Sequence, residues 1–273
     1  FTAAVRKIME RPELAGARFG VDVRDLPDGA PIFQYNAKQI FSGASTAKIP
    51  TSLCALALLG PDFRFRTKLV RTGPVDDAGT VDGDLILVAS GDPNLSNRVS
   101  GRETLDFENL DHSNSGPNAQ LINRNPLQVV EAFARGAHDA GIRRVTGTIL
   151  IDVHLFDESY REAGTGTTVS PVAVNDNQID IEVTAGAEPG DPITYRQIPQ
   201  SGYIRFIDRA RTGASGGEPA LRFSKEELQT DGSRIVVISG AAPRGSQAMA
   251  SIPVESPSRF ARTLLVEALT RIG

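Results

Sequence analysis

The chain has no tryptophan, one cysteine, three histidines and two methionines among its 273 residues. A single cysteine, Cys54, excludes an intrachain disulfide and any multi-cysteine metal centre. His112, His138 and His154 are too far apart to give a metal-ligand spacing, so no cofactor or metal is implied. The G-x-S-x-G string Gly213-Ala214-Ser215-Gly216-Gly217 reads as a glycine-rich connection between strands and not as a strand-to-helix elbow, which removes the usual frame of a Ser-His-Asp hydrolase. No apolar run is long enough to span a bilayer as a helix. The formal net charge of −4 offers no electrostatic argument for nucleic acid or an anionic membrane. Neither an initiator methionine nor a signal-peptide pattern is present, so Phe1 reads as the start of a processed or trimmed chain.

What is present is ordinary in bulk, with 40% hydrophobic and 23% charged residues. It is unusual at one place. Phe41-Ser42-Gly43-Ala44-Ser45-Thr46-Ala47-Lys48 runs into Leu53-Cys54-Ala55-Leu56-Ala57-Leu58-Leu59, apolar on every face. Such a helix is expected to be buried, with Cys54 as a small core hydrophobe, and Gly60-Pro61 ends it. Ser45 then lies at the first turn, with Lys48 three residues on and on the same face. A serine hydroxyl needs a base before it can attack, and a neutral lysine amine can serve as one. This is the S-x-x-K device of penicillin-binding proteins and serine β-lactamases, although the tetrapeptide alone arises by chance about once in a chain this long.

Several longer blocks accompany it. Phe19–Asp25, Pro31–Ala37, Gly83-Asp84-Leu85-Ile86-Leu87-Val88-Ala89-Ser90-Gly91-Asp92-Pro93-Asn94-Leu95, Val145-Thr146-Gly147-Thr148-Ile149-Leu150-Ile151-Asp152 and Ser170–Asn177 follow in order. Together they resemble the D-alanyl-D-alanine carboxypeptidase/endopeptidase family, the class C low-molecular-mass penicillin-binding proteins. The resemblance implies a serine peptidase acting on the peptidoglycan stem peptide through an acyl-enzyme on Ser45, with Lys48 as its partner. It also implies binding of β-lactam antibiotics and a periplasmic or extracellular location after removal of an export signal. Two other classes stay open: a β-lactamase or esterase using the same pair, and a non-catalytic cell-wall binding protein on the same scaffold.

Periodicity divides the chain. A helix over Thr2–Arg11 precedes a hairpin over 18–35, read from the alternation of Phe19, Val21 and Val23 and the Asp28-Gly29 turn, and both come before the Ser45 helix. Strands over 67–72 and 83–89, a polar stretch over 92–126, a helix opened by Pro126 and a strand over 145–151 suggest an α/β insertion. Further strands near 179–183, 193–197, 203–207, 221–224 and 234–239 read as an all-β insertion. Ser256 and Pro257 open a last amphipathic helix, with Ser256 as its N-cap. The expected fold is therefore α/β and multi-domain. Residues 1–66 form a partial transpeptidase-like domain, 67–168 an α/β insertion, 169–252 a mostly-β insertion, and 253–273 the returning helix of the first domain.

In the family an S-x-N and a K-T-G lie downstream of that helix, and neither occurs here. Arg71-Thr72-Gly73 follows Ser45 too soon to be the latter. The resemblance thus implies a C-terminal remainder of the same protein as a partner of this segment. Asp176, Asp180 and Glu182 alternate and are expected on a solvated strand face rather than as a catalytic pair. No substrate-binding residue is singled out.

Overall fold

The computed structural model describes residues 1–98, 125–230 and 234–273. Most of the polar stretch, including His112, and the Asp231-Gly232 turn lie outside the described residues. The chain divides into two units, Phe1–Arg64 and Phe65–Gly273.

In the first unit, α1 (Thr2–Met9) is followed by the hairpin of β1 (Val21–Arg24) and β2 (Pro31–Tyr35). The hairpin is antiparallel, pairing Val21 with Tyr35 and Val23 with Phe33. Its turn is closed by the Asp28 carboxylate, which accepts from the Ala30 amide at 2.8 Å. Among the described residues of this unit, Phe33 is the one buried hydrophobic side chain. The Phe1 and Phe33 rings stand nearly perpendicular with centroids 6.4 Å apart, and the Arg6 guanidinium lies 5.9 Å from the Phe33 centroid.

A 3₁₀ turn, Ala44–Ala47, leads into α2 (Lys48–Leu59), and Gly60 ends α2 at φ +80°. The expectation of burial fails here. Leu58 is 83% exposed and Leu53 61%, and Cys54 is exposed too. A helix apolar all round is buried only when other layers cover it. A single hairpin and one short helix do not supply them.

The second unit begins with β3 (Lys68–Arg71), β4 (Thr80–Val81) and β5 (Leu85–Val88). Then come α3 (Gln128–Asp139), β6 (Arg144–Val145) and β7 (Ile149–Asp152). β5 is central, antiparallel to β3 and parallel to β7. The β5-to-β7 connection runs through α3, the crossover that parallel neighbours need. Alternation along β5 buries Leu85 and Leu87 on one face.

β8 (Gln178–Thr184) follows, flanked by β9 (Thr194–Ile198) and, from later in the chain, β15 (Gln247–Pro253), both antiparallel. A second sheet is built on the long β14 (Arg234–Pro243). Along one part of β14 runs the parallel β10 (Arg205–Asp208), continued by β11 (Arg211–Gly213). β12 (Ala220–Phe223) and β13 (Glu227–Leu228) pair with it antiparallel.

The last helix, α4 (Pro257–Ile272), buries Phe260, Ala261, Leu264, Leu265 and Ala268 in the second unit, against α3 and β7. The sequence pattern places this helix with the Ser45 helix, whereas it belongs to the second unit. Its apolar stripe is instead matched by Val130, Ala134 and Ala137 of α3. One buried cluster runs from Leu87 to Ala268, drawing on both expected insertions and on α4.

Two local expectations are also corrected. Ser256 occupies the N-cap position of α4, but its side chain makes no capping bond. Glu158 supplies the acceptor instead, taking bonds from the Ser258 amide at 3.0 Å and from the Ser258 hydroxyl at 2.7 Å. Asp180 is fully buried rather than solvated, because β8 is flanked on both sides, and it accepts from Asn175 Nδ2 at 2.9 Å and from Ser251 Oγ at 2.5 Å. Asp176 lies off the strand, in a left-handed run from Asn175 to Asn177, and pairs with Arg98. Glu182 is on β8 and pairs with Arg196.

Candidate active site

The chain reaches Ser45 along a braced path. Asn36, at φ +50°, donates from Nδ2 to the Phe19 carbonyl at 3.1 Å, which ties the end of the hairpin back to its beginning. The Arg18 guanidinium lies 5.2 Å from the centroid of the Phe41 ring. Gly20 faces the same ring, and a Cβ there would fall 2.4 Å from Phe41 Cε2. Phe41 is thus seated four residues before the nucleophile candidate.

Gly43 accepts from the Thr46 amide at 2.9 Å and also from the Thr46 hydroxyl. Between them Ala44 adopts φ +41°, the left-handed region that a side chain with a Cβ rarely occupies. Ser45 is therefore in the 3₁₀ turn just before α2, and Lys48 is the first residue of α2 itself. The two side chains meet: Lys48 Nζ donates to Ser45 Oγ at 2.7 Å. Both residues are exposed.

Pro50 lies in the first turn of α2, where amides have no intrahelical acceptor, so its missing N–H leaves no gap. Thr51 Oγ1 donates to the Ala47 carbonyl at 3.0 Å and ties the turn to the helix. A hydroxyl in contact with an amine at the start of a helix can lose its proton to that amine as it attacks a carbonyl carbon. The partial positive charge of the helix terminus favours the oxyanion that results.

Arg71-Thr72-Gly73 has a turn-forming role in the second unit. Thr72 Oγ1 accepts from the Asp84 amide at 2.8 Å, and a Cβ on Gly73 would lie 1.8 Å from the Asp82 carbonyl oxygen. His138 is part of α3. His154, just past β7, is exposed and its Nδ1 lies 2.6 Å from Asp152 Oδ1. The His154 backbone N–H, then its ring, hold the Asp152 carboxyl below its ordinary range. Leu155, Phe156 and Tyr160 stand exposed nearby in sequence. Among the described residues no cluster of His, Cys, Asp or Glu is arranged to hold a metal, and no helix is long and apolar enough to cross a membrane.

Sequence spacing pointed to Ser45 and Lys48 but not to the brace at Arg18, Gly20 and Phe41 or to the left-handed Ala44. The glycine was visible without its partner. Ala44 carried no signal, because alanine ordinarily avoids that region.

The 273 residues have known relatives. The D-alanyl-D-alanine carboxypeptidase of an Actinomadura species is 27% identical over 282 aligned positions, covering 97% of this chain and 46% of that protein. The carboxypeptidase DacB of Haemophilus influenzae is 22% identical over 267 positions, covering 94% of this chain and 49% of that one. The chain thus spans about half the length of the curated relatives it matches. Its fold matches crystal structures of penicillin binding protein 4 (dacB) from H. influenzae. In one, the TM-score is 0.67 at 19% identity over 93% of this chain and 51% of that one. In another, complexed with a β-lactam, the TM-score is 0.63 with 49% of that chain covered. Residues 1–273 match the D-Ala-D-Ala carboxypeptidase 3 (S13) family from end to end, and the chain belongs to that family.

Proposed function

We propose that this chain is the nucleophile-bearing part of a serine D-Ala-D-Ala peptidase that acts on peptidoglycan stem peptides outside the cytoplasmic membrane. The observation that carries the reading is the 2.7 Å contact between Lys48 Nζ and Ser45 Oγ in a chain of this family. Lys48 takes the Ser45 proton as Oγ bonds to the carbonyl carbon of the penultimate D-alanine. The peptide C–N bond breaks, and the proton passes to the leaving D-alanine nitrogen. Water then attacks the ester carbonyl, the acyl–oxygen bond breaks, and the proton returns to Oγ. A β-lactam carbonyl enters by the same first step, which makes the protein a penicillin binder.

The exposed apolar surface of α2 supports a further reading. In it, a C-terminal remainder of the same protein covers α2. It also brings the S-x-N and K-T-G elements. Removing one oxyanion donor typically lowers turnover about 100- to 1,000-fold, so this segment alone is expected to acylate weakly.

Incubation of the full-length protein with a fluorescent penicillin, followed by peptide mapping, tests the assignment. A persistent label on Ser45 is expected. Rapid turnover of the drug would favour a β-lactamase, and an absent label a non-catalytic binding protein.

A further inference from the structure

One face of the sheet on β14 carries arginines with no ion-pair partner among the described residues. In register, Arg205 of β10 sits opposite Ile235, Arg211 of β11 opposite Ala241, and Arg222 of β12 opposite Ser239. Residues 235, 239 and 241 share one parity, so these three arginines project from one face. Phe206, Val236, Ile238 and Ala242 fill the buried face. Arg209 stands between β10 and β11 and is exposed like the other three.

Among the described residues, none of the four forms an ion pair, and Arg211 donates only to its neighbour's carbonyl, Ala210 O. By contrast Arg196, Arg234 and Arg244 of the same half pair with Glu182, Glu226 and Glu188. The carboxylates near the face do not neutralise it. Asp208 points inward and accepts from the Ala210 amide at 2.8 Å, Glu218 is in the loop before β12, and Glu227, at one corner opposite Ile235, is the one carboxylate of β10 to β13 that shares the face with the arginines. Residues 205–228, which contain β10 to β13, hold five cations (Arg205, Arg209, Arg211, Arg222 and Lys225) against four carboxylates (Asp208, Glu218, Glu226 and Glu227), of which Glu226 is taken by Arg234 and Asp208 points inward.

We propose that this face binds a phosphate-bearing linear polyanion. Guanidinium forks take phosphate oxygens two at a time, and arginine keeps its charge at any relevant pH. The layout suits a strand-like ligand. Arg205, Arg209 and Arg211 follow one line over roughly 20 Å, at about 3.3 Å per residue, while Arg222 lies about 10 Å away across two strand spacings. The residues between them, Ile207, Ile235 and Val237, are half-buried and small, with no exposed aromatic side chain on these strands to insert into lipid. The inference stands apart from the chemistry proposed at Ser45.

Long-chain inorganic polyphosphate is the probe, titrated against the protein over a range of salt. Binding is expected to weaken linearly on a log–log salt plot with a slope of about −3, since a flexible polyanion returns about 0.7 per contact for four contacts. The quadruple variant R205Q/R209Q/R211Q/R222Q is expected to bind about tenfold or more weakly and to lose most of that slope, while each single variant lowers the slope by about 0.7. R135Q, on α3, is the control and leaves binding unchanged. An unchanged thermal midpoint shows that the quadruple variant folds; should it shift, the four single variants decide. The proposal is overturned if the wild-type protein ignores polyphosphate at low salt or if the quadruple variant binds as well as wild type. It is overturned equally if phosphatidylglycerol vesicles are bound and polyphosphate is not.

Discussion

Glu158 caps a helix that begins a hundred residues further along the chain, accepting at 2.7 Å from the hydroxyl and at 3.0 Å from the amide of Ser258. Its Oε1 also accepts from Ser170 Oγ, so one carboxylate joins the loop after β7, the approach to β8 and the start of α4. Side-chain caps typically contribute about 1 to 2 kcal/mol. Glu158→Ala is expected to destabilise the second unit by at least that much, because the buried donors lose their acceptor. Glu158→Gln, which keeps one acceptor oxygen, costs less. Urea unfolding followed by circular dichroism separates the two; equal losses would point to charge rather than capping.

At the candidate site the decisive substitution is Lys48→Arg. Arginine keeps the positive charge and can still donate to Ser45, but it does not give up a proton in this range. General-base assistance is typically worth a factor of about 100 to 10,000, so penicillin acylation of the full-length protein is expected to fall by that order with the unfolding midpoint unchanged. Substantial rescue by arginine would make Lys48 a structural partner of Ser45 only.

Ala44 lies one residue before Ser45 at φ +41°. Glycine is at ease there, and the strain it relieves is offset by its freer unfolded chain, so Ala44→Gly should change stability by less than about 1 kcal/mol. A β-branched side chain cannot adopt that conformation without strain, so Ala44→Val should cost about 1 to 2 kcal/mol or more. Chemical denaturation of the pair measures the difference. A valine variant as stable as the glycine variant would show that residue 44 is not left-handed in solution.

Tyr203 provides a pH test. Burial pushes its hydroxyl above the ordinary value of 10.0, against the opposing pull of Arg234 5.3 Å from the ring centroid. The native state therefore holds this proton more tightly than the unfolded chain does. Its contribution to stability is complete below pH 10 and is lost as pH rises through the folded value. Tyr203→Phe should flatten that alkaline fall. It should also lower stability at neutral pH, because the hydroxyl donates to Glu226 at 3.2 Å and accepts from the Ser256 amide at 3.3 Å. Urea midpoints between pH 8 and 11 give both results, and an unchanged alkaline slope would assign the titration elsewhere.

The sequence by itself determined what depends on near neighbours. Three-residue spacing was enough to place Ser45 beside Lys48, and alternation was enough for β1 and β8. Asp28-Gly29 was enough for the first hairpin turn. These signals are local, since a period of two or of 3.6 is written in consecutive side chains. Only the tertiary structure decided which apolar stripe covers which. The stripe of α4 is equally amphipathic whichever unit receives it, and α3 is what it meets. Asp180 looked solvated because its strand alternates, yet β9 and β15 flank β8 and Ser251 and Asn175 satisfy the carboxylate. The same limit explains α2, whose uniform apolarity calls for cover without saying where that cover comes from. Burial is a relation between residues far apart in the chain, and no stretch of sequence contains both sides of it.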